Sequence, residues 1–389
     1  MTWLGFAISL AAILIISRKN LALALTAGAL LLGLFTVPPS TVVEQTIYTI
    51  TSPSVIILAL AVGVIPIIGG TMKNNGQIDS LVGNLRLPRR YLLALSPALM
   101  GLLPIPGGAL LSAPILEKGG QGVPPDLLGA INNWFRHSFI MVYPLSSALI
   151  VATQIADLDI YRCIVWLLPG FAVAMALGWA FFLTGVDGRM GYESRFSSTG
   201  LIIPLAVILS APALDFALKR IFDLDATATL LAVLTALTLS LLLGTGPARL
   251  RAVFKTMRPW NFSLIIVGMF LYLHMFQSSD IKHLMAALPL PPLTLAVGAG
   301  YLLGLVTGRV QLPASIVLPV YLATSDHITA PVFALVYVAI FFGFVMSPVH
   351  PCLVVTGEYF QVPLSRLVNR LTIPSLLIAA AAVALSIIA

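Results

Sequence analysis

Residues 91–117 read YLLALSPALMGLLPIPGGALLSAPILE, an apolar stretch cut near its middle by Pro104-Ile105-Pro106-Gly107-Gly108. Residues 293–323, LTLAVGAGYLLGLVTGRVQLPASIVLPVYLA, are interrupted in the same way between Thr307-Gly308 and Pro313. Each arm has room for about 9–15 helical residues, or roughly 14–22 Å, which is short of a ~30 Å hydrocarbon core. Irregular backbone at such depth survives only where protein or a watery cavity covers it. Both stretches are therefore expected to be re-entrant helical hairpins whose tips end inside a membrane. The alternative for each tip is an ordinary loop in water, with Arg309 merely snorkelling.

The membrane itself follows from composition. The chain has 389 residues, 59% hydrophobic and 9% charged, with a mean hydropathy of +1.02. A soluble surface needs roughly 25% charged residues. Lipid must be most of the solvent here, and long unbroken apolar runs select helices over a barrel. The net charge of +7 asks for no nucleic acid, because Lys and Arg collect in cytoplasmic loops and no basic stretch is interleaved with aromatics. Cys163 and Cys352 lie far apart without metal-ligand spacing, so neither a disulfide nor a metal site is expected. Residues 2–17 lack a basic region before the apolar run, and Arg18-Lys19 follows it instead, which reads as a first span with its N-terminus outside.

Working outward from the hairpins, spanning segments fall at 2–17, 21–36, 54–72, 127–156, 161–183, 200–217, 226–244, 261–278, 330–358 and 371–388. The expected fold is an all-α polytopic membrane protein of about ten transmembrane helices plus two re-entrant hairpins, with both termini outside. The distribution of positive charge tests that count. It places 15 of the 21 Lys and Arg inside, leaves Arg162, Lys219, Arg220 and Lys282 outside, and keeps Arg136 and Arg309 within apolar segments.

The order of elements in 1–183 recurs in 200–389: three spans, an interrupted hairpin, a long span with a central proline, and a final span. Pro114 and Pro144 in the first half stand against Pro319 and Pro348 in the second. An odd number of crossings per half would insert the second half upside down, so two inverted-topology repeats are expected, joined by a cytoplasmic linker at 184–199. Such repeats with broken helices point to a secondary transporter with a midplane site.

Proline removes a backbone donor. The long spans 127–156 and 330–358 should therefore unwind at Tyr143–Ser147 and Ser347–Pro351. Broken ends offer helix N-termini to anions and carbonyls to cations. Pro106, Gly107 and Gly108 let backbone approach a ligand, with Ser112 one turn on; Arg309, Gln311 and Ser315 flank the second tip. Arg136 could neutralise an anion or pair with a neighbouring helix. His350 could carry a coupling proton, contact substrate or simply pack, and His137 reads as structural. Ser146 and Ser347 offer hydroxyls at the breaks. Asp215 and Glu358 lie near the ends of their spans, leaving no carboxylate at the expected midplane and favouring an anionic substrate. There is no P-loop, HExxH or GxSxG.

The stretches Leu103–Pro114 (LPIPGGALLSAP), Asn133–His137 (NWFRH) and Ser347–Leu353 (SPVHPCL) resemble the signatures of an uncharacterised prokaryotic integral-membrane permease family. That family is placed in the ion-transporter (IT) superfamily with divalent-anion/sodium symporters, gluconate permeases and arsenite permeases. The resemblance covers essentially the whole chain. It implies a multi-pass protein of the prokaryotic cytoplasmic (inner) membrane and a homodimer with a scaffold domain and a moving transport domain. The Ser-Asn-Thr triplets of the symporter relatives are replaced here by Pro106-Gly107-Gly108 and Gln311-Leu312-Pro313, a departure that bears on sodium coupling and dicarboxylate specificity. The functional expectation is a secondary transporter, not an enzyme. It would move a small anion, an organic carboxylate first, by a proton or sodium gradient, with Na+ the one candidate bound ion. The alternatives are a metalloid-oxyanion or inorganic-ion exporter and, more remotely, a membrane-embedded enzyme acting on lipid through Arg136, His137 and His350, or a passive channel.

Overall fold

A computed structural model describes residues 2–103, 108–188, 191–192, 195–244, 249–280, 291–325 and 327–388. The described residues form helices and loops, with no strand among them. The first half runs through α1 (Thr2–Ser17), α2 (Leu21–Thr36), α3 (Pro39–Thr51), α4 (Pro53–Asn74), α5 (Gln77–Asn84), α6 (Arg89–Gly101), α7 (Ala109–Gly119), α8 (Pro125–Met141), α9 (Ser147–Ile155) and α10 (Ile160–Gly178). A wider π turn, Trp179–Leu183, extends α10. The second half holds α11 (Ser198–Ile221), α12 (Ala226–Leu242), α13 (Leu250–Met257), α14 (Pro259–Gln277), α15 (Pro292–Thr307), α16 (Gln311–Thr324), α17 (Ala330–Met346), α18 (Pro351–Phe360) and α19 (Leu364–Ile388).

Among the described residues, six segments are long and apolar enough to cross a membrane: Pro53–Asn74, Ile160–Leu183, Ser198–Ile221, Pro259–Gln277, Ala330–Phe360 and Leu364–Ile388. They coincide with six of the ten expected spans, and the protein is a multi-pass membrane protein. Of the remaining four, α1, α2 and α12 are apolar but only 16, 16 and 17 residues long, and 127–156 is divided between α8 and α9. The short helices α3, α5 and α13 occupy stretches between the expected spans. Their mixed polar and apolar sequences carry too little hydropathy to register as spans.

Prolines mark many helix starts. Pro stands in the first turn of α3, α4, α8, α14, α15, α17 and α18, where the missing N–H costs nothing. Both long spans break where their prolines require. The α8–α9 break is a turn in which Ser146 N–H donates to the Tyr143 carbonyl at 2.9 Å, with Pro144 second in the turn. The α17–α18 break repeats it, His350 N–H donating to the Ser347 carbonyl at 3.1 Å with Pro348 second. Proline's fixed φ suits that position.

The stretch 91–117 turns back on itself. Arg89 Nε, at the start of α6, donates to the Gly119 carbonyl at the end of α7 at 2.8 Å, so both ends lie on one side. The Pro104–Gly107 tip, including the site candidates Pro106 and Gly107, lies outside the described residues. In the second stretch α15 packs against α16, and the turn at 308–310 is described in full. Pro313 falls in the first turn of α16, as expected.

Two groups of helices result. In one, α1, α2, α14, α4, α12 and α11 pack in succession; in the other, α6–α10 and α15–α19 surround the two breaks. Small residues allow the closest approaches. A Cβ added at Gly343 of α17 would fall 2.1 Å from the Tyr301 carbonyl oxygen of α15, and one at Gly304 would fall 2.3 Å from that of Ile340. Such contacts replace hydrophobic burial as the driving force between helices in lipid.

Candidate functional site

The two breaks and the second tip line an open cavity of about 420 Å3. Its polar lining consists of Arg136 and His137 from α8, Tyr143, Ser146 and Ser147 from the first break, Arg309 and Gln311 from the tip, and His350 and Cys352 from the second break. Gly101 and Leu102, next to the first tip, complete the wall, with Phe262, Phe341 and Phe344 as its apolar part.

The second tip holds both breaks. Gly308 adopts φ +59°, a conformation open to glycine, and sits directly on the backbone of Val349 and His350. Gln311 Nε2 donates to the Ser147 hydroxyl of the first break at 3.3 Å. The Arg309 guanidinium donates to the Ser17 carbonyl at the end of α1 at 3.3 Å, which ties the tip to the other helix group.

Arg136 is only 4% exposed, and its Nε and Nη1 have no hydrogen-bond partner. No Asp or Glu lines this cavity or the next. His137 Nδ1 bonds the Asn133 carbonyl at 2.6 Å, and because a carbonyl can only accept, that nitrogen carries the proton. The His137 and His350 rings meet edge to face with centroids 4.4 Å apart, and Phe344 lies 4.0 Å from His350. His350 is buried, with Nδ1 unpartnered.

A second cavity of about 390 Å3 adjoins the first and shares Ser147, Phe262, Arg309 and Gln311 with it. Lys19, Asn20, Arg258 and Asn261 line its other end. The two form a cationic path from the ends of α1 and α13 to the breaks. Lys19 and Arg258 were expected on the same side of the membrane, and the fold brings them together from residues far apart in sequence.

The expected site residues divide into two sets. Arg136, Ser146, Arg309, Gln311 and His350 line the cavity, whereas Gly108, buried at the start of α7, is not part of its lining. Ser112, Ser315 and Ser347 are buried behind it with their hydroxyls engaged. Ser112 donates to Asn132 Oδ1 at 2.6 Å, Ser315 to the Leu312 carbonyl at 2.8 Å, and Ser347 to the Leu305 carbonyl at 2.6 Å. Asn132 extends the first contact by donating to Thr356 of α18 at 3.2 Å, so these hydroxyls brace the walls.

The sequence reading missed Tyr143, Lys19, Arg258 and Asn261 as lining residues and gave Cys352 no role. Only His350's neighbour at 352 was a local signal. His137 shares the cavity with them through tertiary packing alone, and the three residues form a group capable of holding a metal ion.

The family described as "Protein of unknown function (DUF401)" matches residues 3–388, and the chain belongs to that family. No curated protein matches it. Among solved structures it is similar to the YdaH transporter of Alcanivorax borkumensis, with 15% sequence identity and a TM-score of 0.55 over 89% of this chain and 86% of that one. At this identity the likeness is one of fold.

Proposed function

We propose that this member of the family is a secondary active transporter of a small anion, an organic carboxylate in the first instance. The observation that carries the reading is Arg136. A buried guanidinium with two unpartnered donor nitrogens and no acidic neighbour in its cavity costs several kcal/mol, of order 3–5, unless an anion meets it. A carboxylate suits the planar fork of Arg, which can bind it through two parallel hydrogen bonds. A space of about 420 Å3 suits a molecule of a few carbon atoms, and the cationic path through Lys19, Arg258 and Arg309 would draw an anion inward.

The broader architecture supports transport. Matching turns at 143–146 and 347–350, and paired helices α6–α7 and α15–α16 at matching places, favour two inverted repeats with re-entrant tips. The α1/α2/α4/α11/α12/α14 group would be the scaffold of a homodimer in the inner membrane. The remaining helices would move past it as an elevator driven by a proton or sodium gradient.

A metalloid-oxyanion exporter is the second reading, favoured by the Cys352 thiol in the same cavity. Uptake of labelled short carboxylates into proteoliposomes under imposed proton or sodium gradients tests the first reading. Arsenite efflux from the same vesicles tests the second. Absence of gradient-dependent flux for every organic and inorganic anion tried would overturn the transport reading.

A further inference from the structure

We propose that His137, His350 and Cys352 form a three-coordinate site for a soft monovalent metal ion of the Cu+ class. One ligand atom from each of the three lies within 4.8 Å of the others. Metal–nitrogen and metal–sulfur bonds of roughly 2.0–2.3 Å place the donors of a trigonal site about 3.5–4 Å apart. Closure around an ion therefore needs side-chain shifts of about 1 Å.

The donors are already arranged for ligation. The His137 proton is held on Nδ1 by the Asn133 carbonyl, leaving the Nε2 lone pair free, and a carbonyl in this role is the usual partner that orients a ligating imidazole. His350 is 1% exposed, and its Nδ1 lacks any partner, which is costly for a buried polar atom that has no ligand. Cys352 lies two residues further on, in the first turn of α18.

Charge and softness select the ion. A thiolate with two imidazoles suits Cu+ or Zn2+. Binding breaks the Cys352 S–H bond, forms a sulfur–metal bond and releases one proton; both imidazoles donate lone pairs, and nothing is oxidised or reduced. A monovalent ion thereby replaces a proton one for one and leaves the charge beside Arg136 unchanged. A divalent ion would add a positive charge next to a guanidinium that already lacks an acidic partner. The site shares the cavity assigned to the anion but does not depend on that assignment.

The test uses the full-length protein in detergent, titrated anaerobically with Cu+ against a competing chelator and with Ag+ as a redox-inert substitute. One ion should bind per chain with release of one proton, and X-ray absorption should find one sulfur and two nitrogens around it. Cys352→Ser and His350→Gln should each weaken binding at least 100-fold, whereas Cys163→Ser should keep it. Sub-stoichiometric binding, a shell without sulfur, unchanged binding in Cys352→Ser, or preference for Zn2+ over Cu+ at equal concentration would each overturn the proposal. The absorption measurement on the unmodified protein decides the matter even if a variant fails to fold. Anion flux is measured without added metal, so either idea can fail alone.

Discussion

Gly308 rests on Val349: a Cβ added to the glycine would fall 2.9 Å from both the carbonyl carbon and the carbonyl oxygen of Val349. The tip between α15 and α16 is thereby docked on the break between α17 and α18. Gln311, three residues on, reaches the other break at Ser147. One short segment sets the spacing of both breaks around the cavity.

Gly308→Ala should be poorly tolerated. The residue has positive φ, and its new methyl group would press on backbone that has no rotamer to yield. Strain of this kind costs about 1–3 kcal/mol. The purified variant should melt at a lower temperature and lose ligand binding in proportion. Gly298→Ala, with open space around its Cα, is the matched control and should change neither.

Arg136→Met separates a binding arginine from a structural one. Removing a buried, largely unpartnered charge in favour of a side chain of similar length should leave the ligand-free protein as stable as before, or more so. Stabilisation by anions should disappear, a loss of about 2–5 kcal/mol of binding. Thermal-shift titration with carboxylates measures both quantities. A variant that is less stable without ligand would show Arg136 to be a packing element.

Asp215 should behave in the opposite way. It is buried at the junction of α10, α11 and α12. Its carboxylate accepts from Tyr161 at 2.5 Å and Thr229 at 2.6 Å and lies 3.1 Å from Lys219 Nζ. Asp215→Ala strands three donors and should cost about 3–5 kcal/mol of stability. Anion binding per folded molecule should be unchanged, because Asp215 does not line the cavity. Chemical denaturation followed by ligand titration at low temperature separates the two effects.

Side-specific labelling checks the disposition of the chain. Arg86→Cys, just before α6, and Lys118→Cys, in the last turn of α7, should both react with an impermeant maleimide from the cytoplasm. Asp223→Cys should react only from outside. Reaction of the first two from opposite sides would mean that 91–117 crosses the membrane.

Local chemistry made much of this legible from sequence. Apolar composition required a membrane, and Pro144, Pro348 and Pro313 fixed two helix breaks and one helix start, because a missing N–H and a locked φ act within a few residues of the proline. Arg136 and His350 were visible because ionisable groups stand out in apolar segments. The chain alone could not reveal which of the break hydroxyls face the cavity. Ser146 lines it, whereas Ser347 turns to the Leu305 carbonyl. That choice rests on a neighbouring helix, to which sequence spacing gives no access.

The sequence by itself determined the solvent, the helical class and the points of interruption, since each depends on backbone valence and side-chain hydropathy along a short stretch. Tertiary structure alone decided that His137 meets His350 and Cys352, that Lys19 and Arg258 share a cavity wall, and that two nitrogens of the Arg136 guanidinium are left without a partner. Those are facts of packing between helices far apart in the chain, where the low dielectric makes an unmet charge expensive and so gives the site its chemistry.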